Sequence, residues 1–419
     1  MILENIGYLI KISLLFLLLL FAKGCETVKE AHGLEADHQP ILLLISIDGF
    51  AFDYFDKAET PTFDSLIDVG VKAEALIPVF PSKTFPNHYT QVTGLYPENH
   101  GITSNRMYDV AFDQYFGIGA KSVTTGDGKW YQGEPIWVTA RNQGLTTATM
   151  FWPGSDAEIK GVRPNYYFPY NGAISPEDRI EQVLMWMQVG KSRPQLITLY
   201  FEQVDQVGHL HGPNSPAVES AIRFVDGYLE KLMHSITLLG FADQVNIIIV
   251  SDHGMATQSR ERVIFLDDYI DLAMVEVVNW SPVAELIPVS GKEVELYDQL
   301  LEVHPHLKVY RKGALPKRWH FNHHPRITPI VAVADVGWSI GSRAYFESHP
   351  KAYKGGTHGY DPAAPAMQGI FIATGPSFQS GVNIGAVEAV HLYELMCALL
   401  GLHPAENDGK LDVWDGVLK

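Results

Sequence analysis

Five short apolar runs separated by amphipathic stretches set the strongest limit on what these 419 residues can fold into. Ile41 to Ile47, Leu196 to Phe201, Val245 to Val250 and Ile370 to Thr374 are apolar at mostly consecutive rather than alternate positions, and Thr146 to Met150 is a Thr- and Ala-rich run without charge. A strand of that kind is buried on both faces, as in a parallel sheet covered by helices. The covering helices are predicted over Pro61 to Val69, Glu177 to Val189, Ser215 to Leu239 and His391 to Leu400, with Ser175 and Asp178 as a capping box. This rhythm predicts an α/β sandwich with a mostly parallel central sheet and helices on both faces. It breaks between about Met255 and Ser348, where apolar runs shorten and Pro and His accumulate. That segment reads as a smaller cap inserted into a domain spanning 40–419, and no internal repeat interrupts the domain.

The first residues read differently. Lys11 precedes the run "ISLLFLLLLFA", which is short and close to the terminus, so residues 1–24 are predicted to be a signal peptide. The run ends in Ala22-Lys23-Gly24-Cys25, which favours a lipoprotein signal with Cys25 lipidated, followed by a polar linker over 25–39. The expectation is export to the periplasm, or attachment to the outer membrane, of a Gram-negative bacterium. Lys23 departs from the small or apolar residue usual in that box, and an ordinary cleaved signal or an uncleaved anchor stays open. The other cysteine, Cys397, lies in a helical apolar pattern and is expected to be a buried free thiol, so no disulfide framework is available. A formal net charge of −17 argues against duplex nucleic acid as a partner, because phosphate-backbone binders need basic stripes. A small anionic substrate would then need local positive charge, which metal ions can provide.

Ligand groups in open α/β sheets gather beyond the carboxyl ends of strands. "ILLLISIDG" ends in Asp48, "LITLYFEQVDQVGHLHG" leads to Asp205 and His209, "NIIIVSDHG" ends in Asp252 and His253, and "GGTHGYD" carries His358. Singly, each has an ordinary explanation as a turn, a solvated i,i+4 pair or a helix start. Together, three Asp and three His match two zinc ions, since a catalytic zinc takes three protein ligands and keeps a position open. Asp205 and His209 can share one helical face and one ion. Two such ions clamp attacking and leaving oxygens and lower the pKa of a coordinated hydroxyl. In "PSKTFPNHYT", Thr84 stands at a predicted helix start, where free N–H groups also favour an anion, and is the candidate nucleophile. His88 is expected to be packed or to support a ligand. Lys83 could neutralise phosphate charge or equally project into solvent, and is left outside the catalytic set. His211 is placed in a loop, and "HFNHHPR" is assigned to the cap surface.

The motifs "SIDGF", "PSKTFPNHYTQVTGLYPENHGITSNRMYD", "GEPIW", "FWPGSD", "LYFEQVDQVGHLHGP", "VSDHGM" and "GTHGYD" carry a resemblance. From about Ile41 to Gly409 the chain resembles the nucleotide pyrophosphatase/phosphodiesterase family of the alkaline phosphatase superfamily, in particular bacterial members. The resemblance implies an alkaline-phosphatase-like sandwich. It implies that Asp48, Thr84, Asp252 and His253 surround one zinc, and that Asp205, His209 and His358 surround the other. It implies further that Thr84 forms a covalent nucleotidyl intermediate, and that Asn105 holds a nonbridging phosphate oxygen together with the N–H of Phe85. In similar enzymes an aromatic beside the nucleophile and a tyrosine from the "FWPGSDAEIKGVRPNYYFPY" segment form a nucleobase slot; here these are Phe85 and Tyr170, with Tyr166 and Tyr167 as substitutes. Expected substrates are ATP, dinucleotides and nucleotide sugars, cleaved to nucleoside 5′-monophosphates. The alternatives are a broad-specificity alkaline phosphomonoesterase and a non-nucleotide phosphodiesterase. No Arg following the nucleophile supports the first, neither cysteine has the C-x-P-x-R context of a sulfatase, and a zinc-stabilised binding protein would leave Thr84 and Asn105 idle.

Overall fold

The apolar runs do pair side by side. The computed structural model describes residues 40–119 and 123–419, and twelve strands build its two main sheets. Along the chain these are β1 (Ile41–Ile47), β2 (Val71–Ala73), β3 (Thr147–Met150), β4 (Tyr166–Tyr167), β5 (Leu196–Phe201), β6 (Val245–Val250), β7 (Val275–Asn279), β8 (Val283–Pro288), β9 (Leu307–Arg311), β10 (Ile330–Ala334), β11 (Phe371–Thr374) and β12 (Val382–Ile384). The larger sheet has the order β12-β2-β11-β6-β1-β5-β3-β4. Its pairings are parallel except where β11 meets β6 and β2.

Helices cover both faces because each strand presents apolar residues to both. The covering elements include α1 (Pro61–Asp68), α2 (Thr84–Thr93), α3 (Ile136–Asn142), α4 (Pro176–Met187), α5 (Gln203–His211), α6 (Pro216–Leu238) and α7 (Leu392–Leu400). Leu42 and Leu44 of β1 pack on one side with Tyr89 and Val92 of α2, Trp137 of α3 and Leu395 of α7. Leu43 and Ile45 pack on the other with Phe63 of α1, Ile180 of α4 and Val225 and Leu229 of α6. Each such buried side chain contributes about 1.5–3 kcal/mol relative to exposure. The Ser175 hydroxyl accepts the Asp178 N–H at 3.1 Å, the cap expected at the start of α4. Cys397 is buried and unpaired.

Within the expected cap, β7 to β10 form a separate antiparallel sheet in the order β7-β8-β10-β9, with its own core around Leu286, Leu296, Leu300 and Ile330. The cap is tied back to the rest of the domain at two places that matter. Ala256–Thr257 pairs antiparallel with Gly356–Thr357, directly before His358. Phe80, just ahead of the nucleophile segment, stacks on Trp319 at 4.1 Å between ring centroids. Residues 40–419 make one compact unit. The predicted signal peptide, Cys25 and the linker lie outside the described residues. Among the described residues no helix is long and apolar enough to cross a membrane.

Three sequence expectations need correction. His211 is the last residue of α5 rather than a loop residue, because the helix continues to Gly212, whose φ of +85° ends it. "HFNHHPR" is only partly surface: His320 and His323 are exposed, whereas His324 and Arg326 are buried. Lys83 does not reach freely into solvent; its ammonium donates to the Ser281 carbonyl of the cap at 3.3 Å.

Candidate active site and its relatives

Strand register brings the acidic residues together. Ser46 of β1 lies opposite Tyr200 of β5 and Val250 of β6, so the three central strands end level. Asp48 then follows β1, Asp252 follows β6, and α5 rises from the end of β5 carrying Asp205 and His209. Gly49 permits this approach. Its φ is +68°, and a Cβ there would lie 2.9 Å from the Asp205 Cα.

Each of the three histidines is oriented by a backbone carbonyl. The Nδ1 atoms of His209, His253 and His358 lie 2.9 Å from the carbonyl oxygens of Gly356, Gly254 and Ser82. A carbonyl only accepts, so Nδ1 carries the proton and Nε2 presents a lone pair. His209 Nε2 and His358 Nε2 face the same oxygen, Asp205 Oδ1, at 3.4 and 3.8 Å. His253 Nε2 faces Asp48 Oδ1 at 3.5 Å and Asp252 Oδ2 at 3.1 Å. The Thr84 hydroxyl lies 3.3 Å from the same nitrogen. Asp48 Oδ1, Asp205 Oδ1 and Asp252 Oδ2 are buried with no hydrogen-bond partner. Acceptors facing acceptors in a buried space require a cation, since a buried charged oxygen without a partner costs several kcal/mol. The donor set of carboxylate, imidazole and hydroxyl fits zinc.

The electrostatics of the site are uneven: burial opposes the charge on His253, but Asp252 and Asp205 overcome it and raise the pKa of this imidazole. Burial, followed by repulsion from Asp252 and Asp205, raises the pKa of Asp48. Burial raises that of Asp205 against the pull of His209 and His253. Burial also opposes the charge on Asp252, but His253 and His88 overcome it and hold this carboxyl well below its usual range. Burial, with His253 and His209 nearby, holds His358 well below the ordinary histidine value and so keeps it neutral. The other polar groups approach from the side of α2. Thr84 begins that helix, and Asn105 Oδ1 accepts the Phe85 N–H at 2.9 Å. This contact turns the Asn105 amide nitrogen away from the Phe85 amide, so the side chain rather than that N–H is the donor left for a ligand. Phe85 is partly buried against Phe116, with centroids 5.8 Å apart. Tyr170 is exposed, with its ring 5.1 Å from Phe151 and 6.2 Å from Tyr200.

This arrangement has known relatives. The profile of the family described as type I phosphodiesterase/nucleotide pyrophosphatase matches residues 42–361. The chain belongs to that family. It is 38% identical over 395 residues to human ectonucleotide pyrophosphatase/phosphodiesterase family member 5, covering 94% of this chain and 81% of that one. It is 38% identical over 372 residues to human bis(5′-adenosyl)-triphosphatase, covering 88% and 80%. A solved structure of the murine family member 5, an inactive threonine-to-alanine variant in complex with AMP, superposes with a TM-score of 0.86 at 38% identity, covering 91% of this chain and all of that one. This type I phosphodiesterase is therefore a hydrolase, with an alkaline-phosphatase-like fold and a family chemistry of nucleotide phosphodiester and pyrophosphate cleavage.

The site also rests on Tyr200, Arg179 and Glu202, which the sequence did not single out, and on His88, which lies packed beside a ligand as expected. Tyr200 donates its hydroxyl to Asp48 Oδ2 at 2.6 Å and so orients the remaining carboxylate oxygen. In sequence it was one more apolar position of a buried strand. His88 Nδ1 lies 2.9 Å from the Thr84 carbonyl and 3.3 Å from Asp252 Oδ2, while its Nε2 is 2.7 Å from the Ser46 hydroxyl. Arg179 is fully buried and pairs bidentately with Glu202, three residues before Asp205, which fixes the start of α5 against α4. A lone Arg in an amphipathic helix gave no signal of this. Tyr166 and Tyr167 lie on edge strand β4, where Tyr166 packs 6.3 Å from Trp186 and Tyr167 lies under the Arg163 guanidinium. Of these three tyrosines, Tyr170 is the one whose ring contacts Tyr200.

Proposed function

We propose that this chain hydrolyses nucleotide diesters and pyrophosphates with two zinc ions and a covalent nucleotidyl-Thr84 intermediate, releasing nucleoside 5′-monophosphates. One observation carries the reading: three buried, unpartnered carboxylate oxygens face three imidazole lone pairs beside Thr84, a residue at a helix start. Asp205, His209 and His358 would hold one ion, and Asp48, Thr84, Asp252 and His253 the other. When bound, zinc supplies Lewis-acid polarisation of phosphoryl oxygens and a lowered pKa for a coordinated hydroxyl or water.

The residues of the chain do the rest. Thr84 Oγ1 attacks the phosphorus bearing the nucleoside, and the bond to the leaving oxygen breaks as the Thr84 ester forms. The Asn105 amide nitrogen donates to a nonbridging oxygen, which gains charge in the transition state. Asn105 is neutral and suits the single negative charge of a diester. Water then attacks opposite Thr84 Oγ1, restores its hydroxyl and gives net retention at phosphorus. Tyr170 and Phe85 hold the base. A relative inactivated by one threonine-to-alanine change and complexed with AMP, and another named for cleaving a dinucleotide, support both the threonine and the nucleotide.

The deciding assay offers the zinc-loaded protein a thymidine 5′-monophosphate nitrophenyl ester, nitrophenyl phosphate and bis(nitrophenyl) phosphate side by side. Faster turnover of the monoester would favour a phosphomonoesterase, and equal efficiency on both diesters a phosphodiesterase without nucleotide recognition. Export and anchoring at Cys25 belong to the same proposal. Mass spectrometry of the mature N-terminus tests them: an acylated Cys25 is expected, and an unmodified start elsewhere removes the lipid anchor and leaves an ordinary cleaved signal.

A further inference from the structure

Asn105 lies between two residues that the cap grips. The two N–H groups of the Asn279 amide, at the end of β7, are surrounded by three acceptors: the Ser104 hydroxyl at 3.2 Å, the Arg106 carbonyl at 2.5 Å and Glu285 Oε2. Arg106 in turn donates to the Val278 carbonyl. Glu285 lies across from Asn279 on β8, and the register slips by one residue between Val277 and Asn279. A bulge of this kind re-aims a side chain. Here the re-aimed side chain points at the segment carrying Asn105.

The residue before the nucleophile is tied to the same sheet. Glu285 is 2% exposed, and its Oε1 has no hydrogen-bond partner. Burial pushes its carboxyl up to about 7, against the Asn279 amide, the Lys83 charge, the Ser104 hydroxyl and the Arg106 charge. Lys83, whose Nζ donates to Ser281 between β7 and β8, immediately precedes Thr84. A buried carboxylate is costly unless it holds something in place. This one accepts from Asn279, the residue that in turn donates to Ser104 and Arg106 on either side of Asn105.

We propose that Asn279 and Glu285 are positioning residues of the cap, which hold Ser104-Asn105-Arg106 in fixed relation to Lys83-Thr84 so that the Asn105 amide meets the phosphoryl group undergoing transfer. The proposal rests on reading Asn105 and Thr84 as the phosphate-binding pair. It gives the cap a part in catalysis through geometry rather than through contact with substrate.

The test is a double-mutant cycle in the full zinc-loaded chain, with the thymidine nitrophenyl diester as substrate. Asn105→Ala alone is expected to lower kcat by about 10- to 1,000-fold. Asn279→Ala alone is expected to lower kcat by about 10- to 100-fold, with KM changed less than about threefold, because a displaced donor acts on the transition state. In the Asn105→Ala background the Asn279→Ala effect should shrink below about threefold, since the group it positions is gone. Full multiplication of the two losses would overturn the positioning role and leave the reading of Asn105 intact. An Asn105→Ala variant with unchanged kcat would overturn both. Should Asn279→Ala fail to fold, Glu285→Leu and Glu285→Gln carry the test. The Gln variant keeps an acceptor for Asn279 and is expected to recover most of the rate lost in the Leu variant, whereas equal loss in the two overturns the proposal.

Discussion

Two histidine-rich places in this protein behave in opposite ways. At the carboxyl end of the main sheet, His209, His253 and His358 each have Nδ1 against a backbone carbonyl and Nε2 turned toward an unpartnered carboxylate oxygen. In the cap segment, His320, His323 and His324 are closer in sequence but converge on nothing. His320 stacks on Tyr96 with centroids 3.9 Å apart, His323 is exposed, and His324 Nδ1 accepts the Arg326 N–H at 3.2 Å. The nearby buried carboxylate, Asp109, is fully engaged: it pairs with the Arg326 guanidinium at 2.6 Å and accepts the N–H groups of Ala111 and Phe112. Metal affinity therefore follows from orphaned acceptors held face to face, and local density of histidine is no guide to it.

The largest effect should come from breaking the first place and sparing the second. His253→Ala should release zinc from the Thr84 side and lower kcat by about 10³-fold or more, whereas His324→Gln should keep both metal content and kcat. Loss of zinc from the His324 variant, measured by atomic absorption, would erase the distinction. Thr84→Ala should lower kcat by several orders of magnitude while retaining zinc, because the other six side chains remain; full activity in that variant removes the nucleophile.

A stability measurement sharpens the contrast from the other side. Burial, with the Arg326 charge second, lowers the His324 pKa to about 4. The folded value lies below the unfolded one of about 6.5, so the unfolded chain binds more protons between them. The contribution is fully present above pH about 6.5 and is lost as pH falls toward about 4, up to about 3 kcal/mol. Urea denaturation across this window should show a shallower pH slope for His324→Gln than for the parent, and an unchanged slope contradicts the buried neutral histidine. The smallest expected effect is Tyr170→Ala. A lost base stack of about 1–3 kcal/mol should raise KM for ATP or a dinucleotide by roughly 5- to 150-fold. Bis(nitrophenyl) phosphate, which has no base, should be turned over almost as before. Equal loss on both substrates defeats the slot.

Most of the sheet was legible because burial on both faces leaves a continuous apolar run. All five predicted strands formed within a residue of their predicted ends. Asp48, Asp205, His209, Asp252, His253 and His358 were legible because parallel strands deliver their following loops to one edge, and a polar cluster after each run marks that edge. The supporting place of His88 was legible too, one helical turn beyond Thr84. Tyr200 was not: it reads as an ordinary buried aromatic, and its role depends on what β1 places opposite it. The cap was visible only as a break in rhythm, since β7 to β10 are short and antiparallel, and their pairing over Val275 to Ala334 is set by long-range contacts rather than by a local pattern.

By itself, then, the sequence determined the class of fold, the edge at which chemistry gathers and the residue types that gather there, because strand burial and loop delivery are consequences of local pattern. Tertiary structure alone decided which imidazole nitrogen is turned toward which carboxylate, that the Asp48, Asp205 and Asp252 oxygens lack partners, and that Lys83 and Ser104 are held from the cap. Those are relations between residues up to 276 positions apart, as Ser82 and His358 are. Hydrogen bonds of that range exist only once strand register and inter-sheet packing have brought their partners within about 3 Å.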